Sequence, residues 1–167
     1  MTIDAGEARA WVGLGGNVGD ARARLHDAFD ALARIPSTRL LRRSRLYRTP
    51  PWGITDQPDF INAVAELETR VAPRALLDAL LAIERANGRR RGTERWGPRT
   101  LDLDLLVYGD LRCEGPGLAL PHPRLGERAF VLMPLAEIAA DLRIPGSGTA
   151  SELLARVDAT GCEPIDD

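Results

Sequence analysis

Apolar and polar residues alternate along two stretches of the chain with the two-residue period of a β-strand. One face of residues 60–69 is aliphatic and the other is mixed: the aliphatic face carries Ile61, Ala63, Ala65 and Leu67, and the mixed face carries Phe60, Asn62 and Val64. Residues 101–108 repeat the pattern, with Leu101, Leu103, Leu105 and Val107 predicted to face inward and Asp102 and Asp104 to face outward. We therefore predict a strand over each stretch.

Two more strands and two helices are predicted around them. Residues 8–14 are an apolar run that ends in glycines, and residues 40–47 are predicted as a second strand. Asp20 is a suitable N-cap for a helix that ends before Pro36, with Leu25, Phe29 and Leu32 at helical spacing. The prolines of residues 49–58 predict a loop. Pro73 opens the second helix and Gly88 stops it; its apolar positions are Leu76, Leu77, Leu80, Leu81 and Ile83.

The resulting order is strand, helix, strand, strand, helix, strand. It predicts an α+β fold, a ferredoxin-like βαββαβ sandwich in which helices pack on an antiparallel sheet. C-terminal additions follow: a stretch rich in glycine and proline at residues 115–123, a helical stretch at about 127–141, and a last short helix for which Thr149 and Glu152 form a capping box. No repeat or linker interrupts the chain, so residues 1–167 are predicted to be one domain.

The composition fits a globular domain of 167 residues, 44% of them hydrophobic. No run approaches the roughly 18 apolar residues of a membrane span. Residues 1–6 lack the basic and apolar parts of a secretory signal. Cys113 and Cys162 do not have the spacing of a zinc site or of a disulfide framework. We expect a cytoplasmic protein with no membrane partner.

All 22 basic residues are arginines. A Walker A phosphate-binding loop requires a lysine, and so does Schiff-base chemistry on lysine, so the sequence excludes both. The net charge of −2 and the absence of lysine also argue against broad nucleic-acid binding.

Asp102 and Asp104 are the clearest candidate for chemistry. On a strand their Cα atoms lie about 7 Å apart on one face. Neighbouring carboxylates repel unless a cation lies between them, and hard oxygen ligands suit Mg²⁺ with substrate phosphates. Alone, such a pair is also compatible with a solvated strand face.

Arginines are concentrated just before this pair. Six of them lie within residues 85–99, against one acidic residue, Glu94, and four fall in the predicted loop 88–97. Arginine forks bind phosphate oxygens, so a cation site beside them suits polyphosphate transfer. A solvated basic loop or a nucleic-acid patch would show the same composition.

The aromatic residues favour a flat substrate. Trp52, Phe60, Trp96 and Phe130 lie in or beside these polar segments. Phe60 could stack on a ring whose edge hydrogen-bonds Asn62, although Phe60 and Phe130 could also be core residues. His122, between two prolines, is a weaker candidate, because a lone histidine is more often structural.

Four blocks make the chain recognisable: GLGGNVGD at residues 13–20, YRTPPWGITDQPDFIN at 47–62, residues 88–104 with their RWGPRTLDLD end, and LPHPRLGERAFVLMP at 120–134. With them the chain resembles the 6-hydroxymethyl-7,8-dihydropterin pyrophosphokinases. The resemblance implies the ferredoxin-like fold. It also implies transfer of the diphosphoryl group of ATP to the hydroxymethyl group of 6-hydroxymethyl-7,8-dihydropterin, which gives AMP and serves folate biosynthesis. Two Mg²⁺ ions and a monomer that binds neither nucleic acid nor membrane are expected.

The resemblance also assigns site residues by position. It implies that Asp102 and Asp104 are the metal ligands. The catalytic set is completed by Arg89, Arg91 and Arg99. The pterin would contact Thr49, Pro50, Pro51, Phe60, Asn62, Trp96 and Phe130. The nucleotide would contact Gln57, Glu84, Arg95, Arg99, His122 and Arg128. Phe60 stands where relatives often have tyrosine, and Gly16 where they have serine.

Two other functions remain to be compared with this one. A ferredoxin-like RNA-binding module would expose aromatic residues on its central strands, and this chain has no such pattern. A dinucleotide-dependent oxidoreductase would rest on the glycines of residues 13–19, but their spacing is GxGxxxG rather than GxGxxG. AMP formation that depends on a pterin separates the kinase from both.

Overall fold

A computed structural model of the chain describes residues 6–51, 55–88 and 100–165. Its main strands and helices follow one another in the order β1 Ala8–Gly16, α1 Ala21–Ala33, β2 Thr38–Arg43, β3 Leu46–Thr49, β4 Phe60–Thr69, α2 Pro73–Ala86 and β5 Asp102–Tyr108. The C-terminal part contains β6 Cys113–Gly115, β7 Leu118–Leu120, a 3₁₀ turn Leu125–Glu127, α3 Ala129–Ala139, β8 Arg143–Ile144, β9 Gly148–Thr149, α4 Ala150–Leu154 and β10 Glu163–Ile165. None of the helices in these ranges has the length and apolar character to cross a bilayer.

A six-stranded antiparallel sheet organises the molecule. Its order is β10-β3-β4-β1-β5, and β2 pairs with β4 beyond the end of β3. Strand β1 lies between β4 and β5, so its residues have a partner on each side. The sheet thus places the C-terminal half of β1 between the first residues of β4 and of β5.

Each face of the sheet is covered by helices. On one face α1 and α2 pack against the sheet around Leu25, Leu32, Leu76 and Leu80. On the other face α3 and α4 form a second core around Leu132, Leu135 and Leu153. The predicted combination of an antiparallel sheet with packed helices is confirmed, and the C-terminal additions account for the second covered face.

Local capping signals in the sequence are confirmed where they were predicted. The Asp20 carboxylate accepts a hydrogen bond from the Ala23 N–H at 3.1 Å and caps α1. Pro73 is the first residue of α2, and Gly88 follows its end with φ +80°. Thr149 and Glu152 form the capping box of α4. These ends depend on neighbouring residues only, which is why the sequence is sufficient to predict them.

The single strand predicted over residues 40–47 is wrong, because the chain breaks into β2 and β3 at Ser44. The Ser44 hydroxyl accepts a hydrogen bond from the Val64 N–H at 2.9 Å, while the Ser44 N–H donates to the Val64 carbonyl at 2.9 Å. A side chain thereby replaces a backbone partner in the ladder, and the strand is interrupted. Thr49, predicted in the following loop, is the last residue of β3.

Val107 is buried as predicted, but it does not share a face with Leu101, Leu103 and Leu105. Trp11 pairs with Val107 and Val12 with Leu105, so Leu106 is an extra residue that bulges from β5. A bulge reverses the alternation of the residues that follow it. Val107 therefore packs in the core under α3, and Tyr108 packs in the core under α1 and α2.

Candidate functional site

The predicted site residues of the sheet meet on the face that α3 covers. Asn62 of β4 and Asp102 of β5 both lie opposite Gly15 of β1, and Asp104 lies opposite Gly13. Directly opposed residues of antiparallel strands point to the same face. The strand pairing thus brings two carboxylates to the same end of one sheet face as an amide that precedes them by 40 residues or more.

Asn62 is held in a fixed orientation. Its side chain is buried, and its Nδ2 donates to the Thr49 hydroxyl oxygen at 2.9 Å. Gly15 supplies the space for it, since a Cβ atom on residue 15 would lie 2.7 Å from the Asn62 Oδ1. Gly15, near the end of β1, therefore has a steric reason in this fold that is separate from any dinucleotide motif.

Replacing Gly15 with alanine is expected to displace the Asn62 amide, because the new methyl group overlaps its oxygen. If Asn62 reads the pterin edge, the KM for the pterin should rise roughly 10-fold or more. Gly13→Ala is the matched control on the same strand face, since its Cβ would meet only Leu106 at an ordinary 3.5 Å. Equal pterin KM values in the two variants would contradict the steric argument.

The carboxylates lie beside a cation. Arg128 precedes α3, and its Nη1 is 3.7 Å from the Asp104 Oδ2, with 24% and 30% of the two side chains exposed. The same guanidinium lies over the Phe130 ring, 5.6 Å from its centroid. Arg128 thus connects the carboxylates of β5 with the aromatic residue at the start of α3.

His122 is a neutral group at this edge. The backbone N–H of His122 donates to the Leu106 carbonyl at 2.8 Å, which attaches the segment after β7 to β5. Burial lowers the pKa of His122 to about 4, assisted by the Arg128 charge and opposed by Asp102. Its Nδ1 accepts from the Arg124 N–H at 3.2 Å, so at neutral pH the proton is on Nε2. His122 can therefore donate one hydrogen bond without adding a charge.

Asp102 and Asp104 are suitable ligands for a hard cation. Within the described ranges, no three His, Cys, Asp or Glu side chains converge as a complete metal site. Two partly exposed carboxylates are suitable ligands for Mg²⁺, which keeps some of its waters and shares its coordination with phosphate oxygens. The donor set therefore fits a cation that arrives with a phosphorylated substrate.

Asn17 is a positioning residue that the sequence reasoning missed. It is 2% exposed, and its Nδ2 donates to the Gln57 Oε1 and to the Pro58 carbonyl, both at 2.9 Å. These bonds attach the turn after β1 to the segment that leads into Phe60. Gln57, predicted to contact the nucleotide, has its Oε1 bound to Asn17. An asparagine directly after the glycine turn was the only signal in the sequence.

Glu137 is a second missed residue, and it connects α3 to β3. Its Oε1 accepts from the Tyr47 hydroxyl at 2.6 Å, and both carboxylate oxygens accept from the Arg45 N–H at 3.2 Å. Burial and this carboxylate raise the pKa of Tyr47 to about 12. The contact fixes α3, which carries Phe130 in its first turn, over the strand that ends at Thr49.

Glu137→Ala is expected to destabilise the protein by about 1–3 kcal/mol, because the buried Tyr47 hydroxyl loses its acceptor. The KM for the pterin that the resemblance implies as substrate should rise a few-fold as α3 loosens over β3. Urea unfolding and steady-state kinetics measure both effects. Glu127→Ala, an exposed glutamate just before α3, is the control. A Glu137 variant as stable as the control would show that the contact between Glu137 and Tyr47 does not stabilise the fold.

Glu84 lies inside the molecule rather than on the site surface. It is 1% exposed, and its Oε2 accepts from the Leu103 N–H at 2.6 Å. The expected contact of Glu84 with a nucleotide stays a prediction. Phe60, Phe130 and Pro51 are half-buried and Pro50 is exposed. Trp52 and the predicted residues Arg89, Arg91, Arg95, Trp96 and Arg99 lie outside the described residues.

Comparisons with known proteins agree on one family. The sequence profile of the 7,8-dihydro-6-hydroxymethylpterin-pyrophosphokinase (HPPK) family matches residues 11–140. A 2-amino-4-hydroxy-6-hydroxymethyldihydropteridine pyrophosphokinase of Methylorubrum extorquens is 49% identical over 158 residues, 95% of this chain and 99% of the relative. The protein of the same name from Pseudomonas aeruginosa is 49% identical over 157 residues, 94% of this chain and 96% of the relative.

Solved structures share the fold. Wild-type HPPK-DHPS of Plasmodium falciparum, crystallised with pteroate, superposes with a TM-score of 0.71 at 14% sequence identity over 93% of this chain. The chain spans 43% of that longer protein. At this identity the likeness concerns the mixed fold of an antiparallel sheet with helices.

Proposed function

Because the chain belongs to the 7,8-dihydro-6-hydroxymethylpterin-pyrophosphokinase family, we propose that the sheet face under α3 is the active site at which its pyrophosphokinase reaction of folate biosynthesis takes place. One observation carries the assignment: Asp102, Asp104 and Asn62 converge across three strands, with Arg128 at 3.7 Å from Asp104. Carboxylates for a cation, an arginine for phosphate and an amide for a heterocycle are thereby adjacent.

The pterin is proposed to lie beside Asn62. Its fixed amide would read the polar edge of the heterocycle together with the backbone of Thr49, Pro50 and Pro51. Phe60, on the same face of β4 as Asn62, and Phe130 at the start of α3 would stack on the ring, with Trp96 as a further contact. The Thr49 hydrogen bond to Asn62 and the space left by Gly15 support this assignment.

The metal is proposed to be Mg²⁺, as two ions that arrive with ATP, held by Asp102 and Asp104. When bound, Mg²⁺ neutralises phosphate charge and lowers the pKa of a coordinated hydroxyl group. The two carboxylates lie on one face of β5, and the Asp104 side chain is partly exposed, which supports this assignment.

ATP is proposed to bind with its phosphates toward Arg128 and His122. Arg128 supplies a fixed positive charge, and the Nε2–H of neutral His122 supplies a hydrogen bond. Gln57 keeps its proposed place near the nucleotide. Arg89, Arg91, Arg95 and Arg99 are proposed to complete the charge around the phosphates.

In the proposed reaction the pterin hydroxymethyl oxygen attacks the β-phosphorus of ATP, and the hydroxyl proton is released to water. The bond from that phosphorus to the oxygen bridging to the α-phosphate breaks, and the electron pair leaves with AMP. The protein residues act mainly by position: Asn62 and the aromatic rings hold the nucleophile, and the arginines offset charge that develops on the leaving oxygen. No strong base of the chain is required.

The proposal includes the finer features of fold and assembly. With β2 and β3 counted as halves of one broken strand, the central order of second, third, first and fourth strand supports a ferredoxin-like sandwich. Strand β10 pairs with β3, which supports one domain over residues 1–167. A monomer is part of the proposal, and free Cys113 and Cys162 suit the reducing cytoplasm.

AMP formation from ATP tests the reaction, measured with and without 6-hydroxymethyl-7,8-dihydropterin and with and without Mg²⁺. We expect AMP only when pterin and metal are both present. ADP in place of AMP would indicate transfer of a single phosphoryl group and a different position of attack. Absence of nucleotide turnover by folded protein would contradict the proposed site.

A further inference from the structure

Glu84 is a carboxylate in an unfavourable place for the stability of α2. It lies in the last turn of Pro73–Ala86 and is 1% exposed. The C-terminal end of a helix carries partial negative charge, which disfavours a carboxylate there. Burial of the charge adds a desolvation cost that an apolar residue of similar volume would avoid. The stability of the helix therefore does not explain this residue.

One contact of Glu84 is to the residue between the two aspartates in sequence. Its Oε2 accepts from the Leu103 N–H at 2.6 Å, and Leu103 separates Asp102 from Asp104. Strand β5 is the last strand of the sheet, with β1 on one side. Leu103 pairs with Leu14 of β1, and its N–H is bound by a side chain of α2.

Geometry separates Glu84 from the cation itself. Helix α2 packs against the sheet face that carries Leu101, Leu103 and Leu105. Asp102 and Asp104 point to the opposite face, toward Arg128. The contact of Glu84 with the Leu103 N–H can therefore influence the aspartates through the backbone of β5.

We propose that Glu84 is a positioning residue that fixes the Leu103 peptide and thereby the spacing of the Asp102 and Asp104 carboxylates for Mg²⁺. This replaces direct nucleotide contact as its role, and it rests on the proposed assignment of the two aspartates as metal ligands. Groups that orient metal ligands typically change metal affinity 10–100-fold when they are removed. The effect of Glu84 is expected in that range.

Two variants test the contact. Glu84→Leu removes the acceptor and fills the volume, whereas Glu84→Gln keeps an oxygen acceptor without the charge. We expect Glu84→Leu to weaken binding of Mg²⁺ in the presence of a non-hydrolysable ATP analogue by about 10–100-fold, measured by calorimetry. The Leu103 amide should exchange its hydrogen faster by NMR. In Glu84→Gln the Mg²⁺ affinity and the exchange rate of the Leu103 amide should both be close to those of the wild type.

Glu66→Gln is the control for loss of a buried carboxylate. Glu66 is 2% exposed on β4, where Arg9 Nη1 lies 2.7 Å from its Oε2. This variant should lose stability but retain Mg²⁺ affinity and Leu103 exchange. If Glu84→Leu does not fold, Glu84→Asp tests the same contact, because its shorter side chain retains the charge but moves the acceptor away from the Leu103 N–H. This variant should show the same weakening of Mg²⁺ binding.

Three results overturn the inference. These are wild-type Mg²⁺ affinity in Glu84→Leu, wild-type Mg²⁺ affinity in Glu84→Asp, and weaker binding of the ATP analogue to Glu84→Leu without any metal, which would indicate direct nucleotide contact. The proposed metal assignment fails separately, if Asp104→Ala binds Mg²⁺ as tightly as the wild type does.

Discussion

Asp104→Ala is expected to lower the rate of AMP formation by roughly 10³-fold, equivalent to about 4 kcal/mol of transition-state stabilisation. The substitution removes one of the two proposed Mg²⁺ ligands from β5. A cation held by one carboxylate is both weaker bound and less well placed against the phosphates. The loss should appear in turnover at saturating ATP and should be recovered only in part by raising the Mg²⁺ concentration.

The same substitution should change stability little. The Asp104 side chain is 30% exposed and its 3.7 Å ion pair with Arg128 is partly solvated, so the free energy of unfolding should change by less than about 1 kcal/mol. Asp110→Ala, an exposed aspartate just after β5, is the control and should keep normal turnover. An Asp104 variant with near-normal turnover in Mg²⁺ would disprove the metal assignment.

The elements that the sequence predicts well are those whose signals are local. Residues 60–69 alternate without interruption, and β4 has those bounds. Asp20, Pro73 and Thr149 begin helices through contacts within three residues or through the proline ring itself. In each case the cause of the structure is contained in a short segment, so the pattern is sufficient.

The exceptions have partners far along the chain. Ser44 breaks a strand by bonding to Val64, and the bulge at Leu106 is visible only from the pairing of β5 with β1. The short strand β10 exists because β3 offers an edge. Apolar content alone could not distinguish these arrangements from a continuous strand or a loop.

In the candidate site, too, some features follow from local sequence signals and others from contacts between distant residues. Asp102 and Asp104 stand out by their spacing on one strand, but the alignment of Asn62 with Asp102 across Gly15 depends on sheet register. The partner of Glu84 is equally a tertiary contact. Residue types and spacing thus indicated the chemistry, while the supporting contacts required the fold.

Arg128→Met is expected to lower turnover by about 10²-fold, because a preorganised charge beside the phosphates is lost while the length of the side chain is kept. Arg128 lies 3.7 Å from Asp104 and over Phe130, so it is fixed before substrates bind. The KM for the pterin should change less than turnover does, since the aromatic contact of a methionine with Phe130 remains possible.

A second readout follows from His122. The Arg128 charge disfavours the imidazolium form and helps burial to hold the pKa of His122 at about 4. Removing the charge should therefore raise this pKa toward, but not to, its ordinary value of about 6.5, since burial persists. The chain has two histidines, so NMR titration without Mg²⁺ can follow both of them.

Arg124→Met separates the two effects. The Arg124 charge also lowers the His122 pKa, but less than Arg128 does, and its backbone N–H still donates to the His122 Nδ1. We expect a smaller rise in the pKa and turnover close to that of the wild type. A raised pKa with unchanged turnover in Arg128→Met would show that the arginine tunes His122 without acting on the phosphates, and the proposed phosphate contact would then be wrong.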